Sequence, residues 1–521
     1  MRDRIPDGPH YERRTNRMNA IGNWIFLFVW LPLLLQIPVA ESQAADFAVA
    51  ESPDRESGDS AMPNIIYINA DDLGVMDVGF NSDRYHTPNI DRLRAEGMLF
   101  TNAYAPAANC APSRACVMSG QYGPRHGVYT VGSSERGKSH DRKLIPTQNT
   151  NHLSNDDVTL PAVLQDAGYQ TIHLGKWHLG PDPTQQGFHV NIGGDTSGSP
   201  SGGGYFSPYK SGPMKRFSDQ YPAKTHRVDI FADQAIRFMR ANQTKPFFMH
   251  MAYYSVHTGI EPVPGLVEKY QDKENVHAAY ASMVEKMDQG IGKILDELDS
   301  LSLTDKTFVL FCSDNGGVRA LSDQMPYRSG KGSYFEGGIR EPLVVRWPGK
   351  ITPGSTSDVP VIGVDFFPTF LDVAGVKSPS GQQLDGVSLM PLLTQTGDLE
   401  ERALYWHFPV YLQSYARERD DSHDPLFRTR PGSAMRLGKW KLHEYFEDGR
   451  LELYDLEADI GERRNLADRY PEKTTQLHAM MKRWREETGA PVPTQLNPNY
   501  MAADTGGKQK TKNRKTEKAS R

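Results

Sequence analysis

A chain of 521 residues with 38% hydrophobic and 24% charged residues has globular composition and is long enough for a large core with a smaller second domain, which excludes wholesale disorder. The formal net charge of -5 is small for this length, so no global field directs the chain to nucleic acid, and basic residues must act locally. Three cysteines, Cys110, Cys116 and Cys312, are too few and too odd in number for a disulfide framework, so stability has to come from a core.

In chain order the first signal is one of compartment. Arg13, Arg14 and Arg17 precede an apolar run from Trp24 to Val39, and Ser42-Gln43-Ala44 follows it, the layout of a cleavable export signal. Pro32, Gln36 and Pro38 break the run, which is short of the ~20 residues a spanning helix needs, so no stable membrane insertion is expected after cleavage. Residues 1–44 are therefore read as a signal peptide and 45–61 as a polar linker, on a protein exported to a periplasm or secreted.

The run Asn64-Ile65-Ile66-Tyr67-Ile68-Asn69 is apolar and rich in β-branched residues, as a parallel strand covered on both faces requires, and it ends in Asp71-Asp72. Three further runs behave alike: Thr171 to Leu174 leads to Lys176 and His178, Phe247 to Val256 to His257, and Thr307 to Cys312 to Asp314-Asn315. Between them lie helical patterns: Thr87-Pro88 opens one closed by Gly97, Thr159 to Ala167 stops at Gly168, and Asp229 to Asn242 and His277 to Leu298 carry helical spacing. This alternation predicts an α/β fold, a large, mostly parallel sheet flanked by helices, with ligands in the crevice beyond the strands' carboxyl ends.

The catalytic domain is expected over 62–395 and a smaller C-terminal α+β domain over 396–495, with strands Ser433 to Tyr445 and Arg450 to Tyr454 and a helix from Pro471 to Thr488. Residues 496–521 read as a basic, disordered tail; Gly506 to Arg521 holds seven Lys or Arg and one Glu.

An Asp-Asp pair after a strand is ordinarily a helix cap or a solvated turn. Joined by Asp314 and Asn315 at another strand end, it makes an all-oxygen nest for a hard divalent cation, and the absence of a Cys/His ligand set argues against zinc. Calcium is favoured over magnesium only by size and flexibility. Lys176, His178, His257 and Lys331 are equally bland singly, but with Arg114 they set three permanent cations and two titratable groups around that nest, a pocket for a tetrahedral anion.

Cys110-Ala111-Pro112-Ser113-Arg114, then Met118-Ser119-Gly120 and Arg125-His126-Gly127, resemble the signature of type I sulfatases of the alkaline phosphatase superfamily. The resemblance extends through Asp71-Asp72-Leu73-Gly74, Gly175 to Gly180, Tyr254 to His257, Ser313 to Gly317, Gly330-Lys331-Gly332 and the distal Leu453 to Leu456. The chain departs at Val75-Met76, where the family often has Trp-Gly. The resemblance implies that a maturation enzyme, the formylglycine-generating enzyme, oxidises Cys110 to formylglycine by recognising Cys110, Pro112 and Arg114. It further implies calcium held by Asp71, Asp72, Asp314, Asn315 and position 110. One hydroxyl of the aldehyde hydrate attacks sulfur, and His178 deprotonates the second to eject sulfate; His257, with Lys331, protonates the leaving oxygen, while Lys176 and Lys331 hold sulfate oxygens. His126 is read as structural. Trp406 to Pro409 and Gly202 to Phe206 are read either as a leaving-group pocket or as core and turn.

The implied substrate is a sulfate ester on a saccharide or another small molecule. Two alternatives are carried: a formylglycine-dependent phosphodiesterase or phosphonate monoester hydrolase, and a catalytically silent anion- or glycan-binding protein whose Cys110 stays unconverted.

Overall fold

The structure, a computed structural model, describes residues 62–501 apart from 201, 416–419 and 423. The expected signal peptide, linker and most of the basic tail lie outside the described residues.

Among the described residues eight strands form the main sheet, in the spatial order Val190–Ile192, Gln170–Gly175, Phe247–Ala252, Asn64–Ala70, Thr307–Ser313, Leu343–Arg346, Met98–Phe100 and Ser355–Ser357. Every pairing is parallel except the two made by Leu343–Arg346. The central strand Asn64–Ala70 is buried along its whole length, as expected of a strand roofed on both faces by helices. One face packs under helices Arg227–Ala241 and Ala278–Ser300 through Ile66, Ile68, Phe231, Met249 and Ile291; the other under Leu160–Asp166 and Phe366–Ala374 through Ile65, Tyr67, Leu164, Phe248 and Phe370. Large-to-small change at such a position costs about 2–5 kcal/mol.

The predicted strands and helices fall within a few residues of their expected places, with two corrections. The third run ends at Ala252 rather than Val256, because Tyr253 to Val256 leaves the ladder and bonds to the chain after the central strand: Asp71 N donates to Ser255 O (2.9 Å) and Val256 N to Asp71 O (2.6 Å). The stretch Ser433 to Tyr445 is two strands, Gly432–Leu437 and Trp440–Tyr445, paired antiparallel around a turn with Gly438 at φ +55°. Leu437 pairs with Trp440 across Gly438-Lys439, so the alternation shifts phase there, a break that a single strand from Ser433 to Tyr445 overlooks. With Leu404–Phe408 and Leu451–Asp455 they build a four-stranded antiparallel sheet, against which helix Pro471–Thr488 packs through Leu477 and Met481.

A buried charge cluster joins this smaller sheet to the loop after Lys331. Lys441 Nζ contacts Glu336 Oε1 (2.9 Å) and Glu462 Oε1 (3.0 Å), all fully buried; Arg340 and Tyr104 complete Glu336, and His443 completes Glu462.

Candidate metal centre and anion pocket

Five predicted polar residues stand at the carboxyl ends of three parallel strands because each strand's apolar run stops there. Asp71 and Asp72 follow Ala70, Lys176 follows Gly175, and Asp314 and Asn315 follow Ser313. The backbone is shaped to bring them close. Gly175, at φ +105°, lets Lys176 N bond Ala252 O (2.8 Å); a Cβ there would lie 1.9 Å from that same oxygen. Asp72 is left-handed (φ 64°), so both aspartates turn into one space, and Asp314 Oδ1 accepts from Asp72 N at 3.2 Å.

Asp71, Asp72, Cys110 and Asp314 each offer a ligand atom within 4.8 Å of one another, and all are buried. Asn315 donates through Nδ2 to Asp72 Oδ1 (2.9 Å), and the amide oxygen of Asn315 is buried with no hydrogen-bond partner. An orphan amide oxygen beside three carboxylates suits a hard cation that takes oxygen ligands. The residues present therefore fit a divalent metal ion.

Cys110 begins helix Cys110–Ser119 and enters this nest from the side. Its Sγ lies 3.2 Å from Lys331 Nζ, 3.4 Å from Asp71 Oδ1 and 3.9 Å from Asp72 Oδ1. Burial pushes the thiol up to about 12, against the pull of Lys176 and Lys331, so an unmodified Cys110 is a neutral and poor nucleophile at neutral pH.

Three cations interleave with the three carboxylates. Lys176 Nζ sits 2.7 Å from Asp71, Arg114 Nε 2.8 Å from Asp314, and Lys331 Nζ 2.6 Å from Asp72. Burial alone would raise the Asp72 carboxyl, but Lys331, His257 and Lys176 outweigh it and hold it well below the usual range. Arg114 Nη1 donates to Lys176 O (2.8 Å), fixing the guanidinium, while its Nη2 is buried without a partner. The pocket is thus charge-balanced by itself; a divalent cation would make it net positive and ready for an anion.

The two predicted histidines flank this group. His257 Nε2 is 3.9 Å from Asp72 Oδ2, and burial foremost, with Lys331 and Lys176 opposing Asp72, lowers it to about 3. His178, left-handed at φ 63°, bonds through its N–H to Asp195 O (2.9 Å); burial and the field of Lys176, Arg114 and Lys331 lower it to about 2, and its Nδ1 is buried without a partner. Both are neutral near pH 7.

Other sequence candidates resolve differently. Trp406 is in the core, its Nε1 donating to Ala105 O (2.9 Å), and Phe408 stacks on Tyr334 at 3.8 Å. Tyr205 is also buried; its hydroxyl donates to the carbonyls of Tyr254 (2.7 Å) and His257 (2.9 Å), bracing the histidine's loop. His126 lies against Cys116 Sγ (3.4 Å), apart from the cluster. The residues that sequence reasoning missed come from the distal hairpin: Arg428 donates to Lys331 O (2.7 Å) and Thr429 to Gly332 O (2.8 Å). No motif marks them, since only the fold brings this hairpin to Lys331.

Comparison with known proteins gives the family. The family model described as Sulfatase matches residues 63–376, and the model for the C-terminal part of N-sulphoglucosamine sulphohydrolase matches 330–488. A Formosa agariphila protein named Sulfatase is 31% identical over 513 residues, covering 82% of this chain and 90% of its own length. Human N-acetylgalactosamine-6-sulfatase is 32% identical over 380 residues, 67% of this chain and 69% of that protein. Among solved structures, Ps i-CgsB in complex with k-i-k-neocarrahexaose superposes with a TM-score of 0.67 at 26% identity, covering 84% of this chain and 95% of the other.

Proposed function

The chain belongs to the sulfatase family and is a sulfuric ester hydrolase; from that premise we propose that it removes sulfate from a carbohydrate with a formylglycine made from Cys110 and a calcium ion. The observation that carries this reading is the position of Cys110 Sγ, between Lys331 Nζ at 3.2 Å and the carboxylate nest at 3.4 Å. A group there touches both the cation site and the anion-binding cations. A hydrated aldehyde at 110 would supply two hydroxyls, one to attack sulfur and one to release sulfate, in place of the inert thiol.

Asp71, Asp72, Asp314 and Asn315 would hold calcium, whose chemistry when bound is to polarise a sulfate oxygen and favour the ionised nucleophile. Arg114, Lys176 and Lys331 orient the sulfate and stabilise its charge as the ester bond breaks. His178, neutral and with an acceptor nitrogen to spare, removes the proton of the second hydroxyl. His257 and Lys331 face the leaving oxygen; the negative charge of bound substrate raises His257 toward protonation, so it gains its acid form when the ester arrives. No helix among the described residues is long and apolar enough to cross a membrane, and the proposed life history is export, cleavage after residue 44 and maturation by a formylglycine-generating enzyme. The proposed domains are 62–395 and 396–495.

The test is intact-mass analysis of the peptide carrying residue 110 from the native host, together with rates on matched aryl sulfate and aryl phosphate esters. Conversion of the thiol and a preference for sulfate are expected. Retained cysteine would sink the nucleophile; a strong preference for phosphate would move the enzyme to phosphoester chemistry.

A further inference from the structure

Beside Lys331 the hairpin Leu412–Gln413/Phe427–Thr429 and the loop 131–138 make a wall that the chemistry above does not use. Its backbone is firmly set: Tyr411 N donates to Ser134 O (3.0 Å), and Arg142 Nη1 donates to the carbonyls of Glu135 (2.8 Å) and Gly137 (2.7 Å). On this wall stand two arginines. Arg428 is 5% exposed; Nε donates to Gln413 O (3.0 Å) and Nη1 to Lys331 O, the ring of Tyr415 covers Cζ at 3.4 Å, and Nη2 is buried without a partner. Arg136 is half-buried, and its guanidinium donates to Val131 O.

Among the described residues neither arginine is ion-paired with a carboxylate. Neighbours of the same type are treated otherwise: Arg142 has Glu135, and Arg430 has Asp424 and Glu447. Gly137, next to Arg136, packs so tightly on the hairpin that a Cβ there would lie 2.7 Å from the ring of Phe427, the residue before Arg428; burial first, and then the like charge of Arg428, holds Arg136 below its usual value. Two guanidiniums kept near each other, partly out of water and without a counter-ion cost free energy that an anion between them would offset.

We propose that Arg136 and Arg428 form a subsite for a second anionic group on the leaving-group side, so that the preferred substrate is a saccharide carrying a sulfate or carboxylate besides the ester cleaved at residue 110. The subsite rests on the sulfatase reading for its neighbour but binds an anion independently of turnover. Forked guanidiniums match the paired oxygens of either group, and Tyr415, 52% exposed at the rim, offers a face to the sugar.

The test compares glucosamine and galactosamine 6-sulfates with their disulfated counterparts and with disaccharides in which a uronate adjoins the 6-sulfate. The wild-type enzyme should favour at least one doubly anionic member of a pair by about tenfold in kcat/KM, a preference that salt erodes. Arg136→Gln should remove most of that ratio and Arg136→Lys should keep most of it. The sulfated and uronate arms show which group the subsite takes. Equal rates across every pair, or a ratio within twofold of wild type in Arg136→Gln, would overturn the subsite. If the wild-type enzyme hydrolyses no sulfate ester, the sulfatase reading fails instead, and calorimetric binding of the same pairs to the same three proteins decides the subsite by the same ratios.

Discussion

Cys110→Ala leaves Lys331, Asp71 and Asp72 with their own partners, so the fold should persist while turnover falls by about 10^4-fold or more. A steady-state assay with a folded, calcium-replete variant checks this, and residual turnover within tenfold of wild type would require another nucleophile. Asn315→Leu takes away the orphan amide oxygen and one donor to Asp72. Calcium affinity measured by titration calorimetry should weaken by about tenfold or more, with thermal stability in chelator little changed. At this scale the sequence was most legible. Each of Asp71, Asp72, Lys176, His257, Asp314 and Asn315 follows a buried apolar run, and a polar residue where such a run stops has few places to go but the crevice. Arg136 and Arg428 follow no such run; their meaning depends on a partner that is missing, which no local pattern displays.

Elements explain the pattern of success and error. The parallel strands were readable because a strand roofed on both sides must be apolar throughout, and the helices because Thr87-Pro88 and Gly168 punctuate them. The hairpin at Gly438 was not, since its marks are only the pair Gly438-Lys439 and a one-residue shift in the phase of the alternation, both slight within a continuous strand-like stretch. Nor did the aromatic residues of Leu404–Phe408 declare which side they face: Trp406 spends its N–H on Ala105 inside the core. Gly175 supplies a test of how an element places chemistry. Gly175→Ala forces a methyl to 1.9 Å from Ala252 O at a φ that L-residues avoid, so the strand end must shift and carry Lys176 with it. The expected outcome is a loss in kcat of about 10^2-fold or more, with far-UV circular dichroism near that of wild type.

For the whole molecule, acid should be a stress that begins with histidine. His407 is buried between Ser433 Oγ and Pro491 O, both at 2.9 Å, and burial, against the help of the Pro491 carbonyl, lowers it to about 3. Its folded-state value lies below the usual 6.5, so its contribution to stability is complete above about pH 6.5 and is lost as pH falls from there toward 3, at up to about 1.4 kcal/mol per pH unit. Urea midpoints taken between pH 7 and 4.5 should fall more steeply for wild type than for His407→Gln. Parallel slopes would mean that His407 titrates alike in the folded and the unfolded protein.

The Lys441 cluster carries a further consequence. Glu336 belongs to the segment that follows Lys331, yet the ammonium that neutralises it comes from the distal sheet, as does Glu462, which accepts from Glu336 N at 2.6 Å. Lys441→Met would remove the cation that Glu336 and Glu462 share in the interior and should cost about 3–5 kcal/mol by urea titration. The same logic applies to shortening the gene. A fragment ended at residue 395 would keep Asp71, Asp72, Asp314 and the cations around Cys110 but take Lys441 away from Glu336, leaving that buried carboxylate to Arg340 and Tyr104 alone, so recombination should exchange the segments on either side of residue 395 only together.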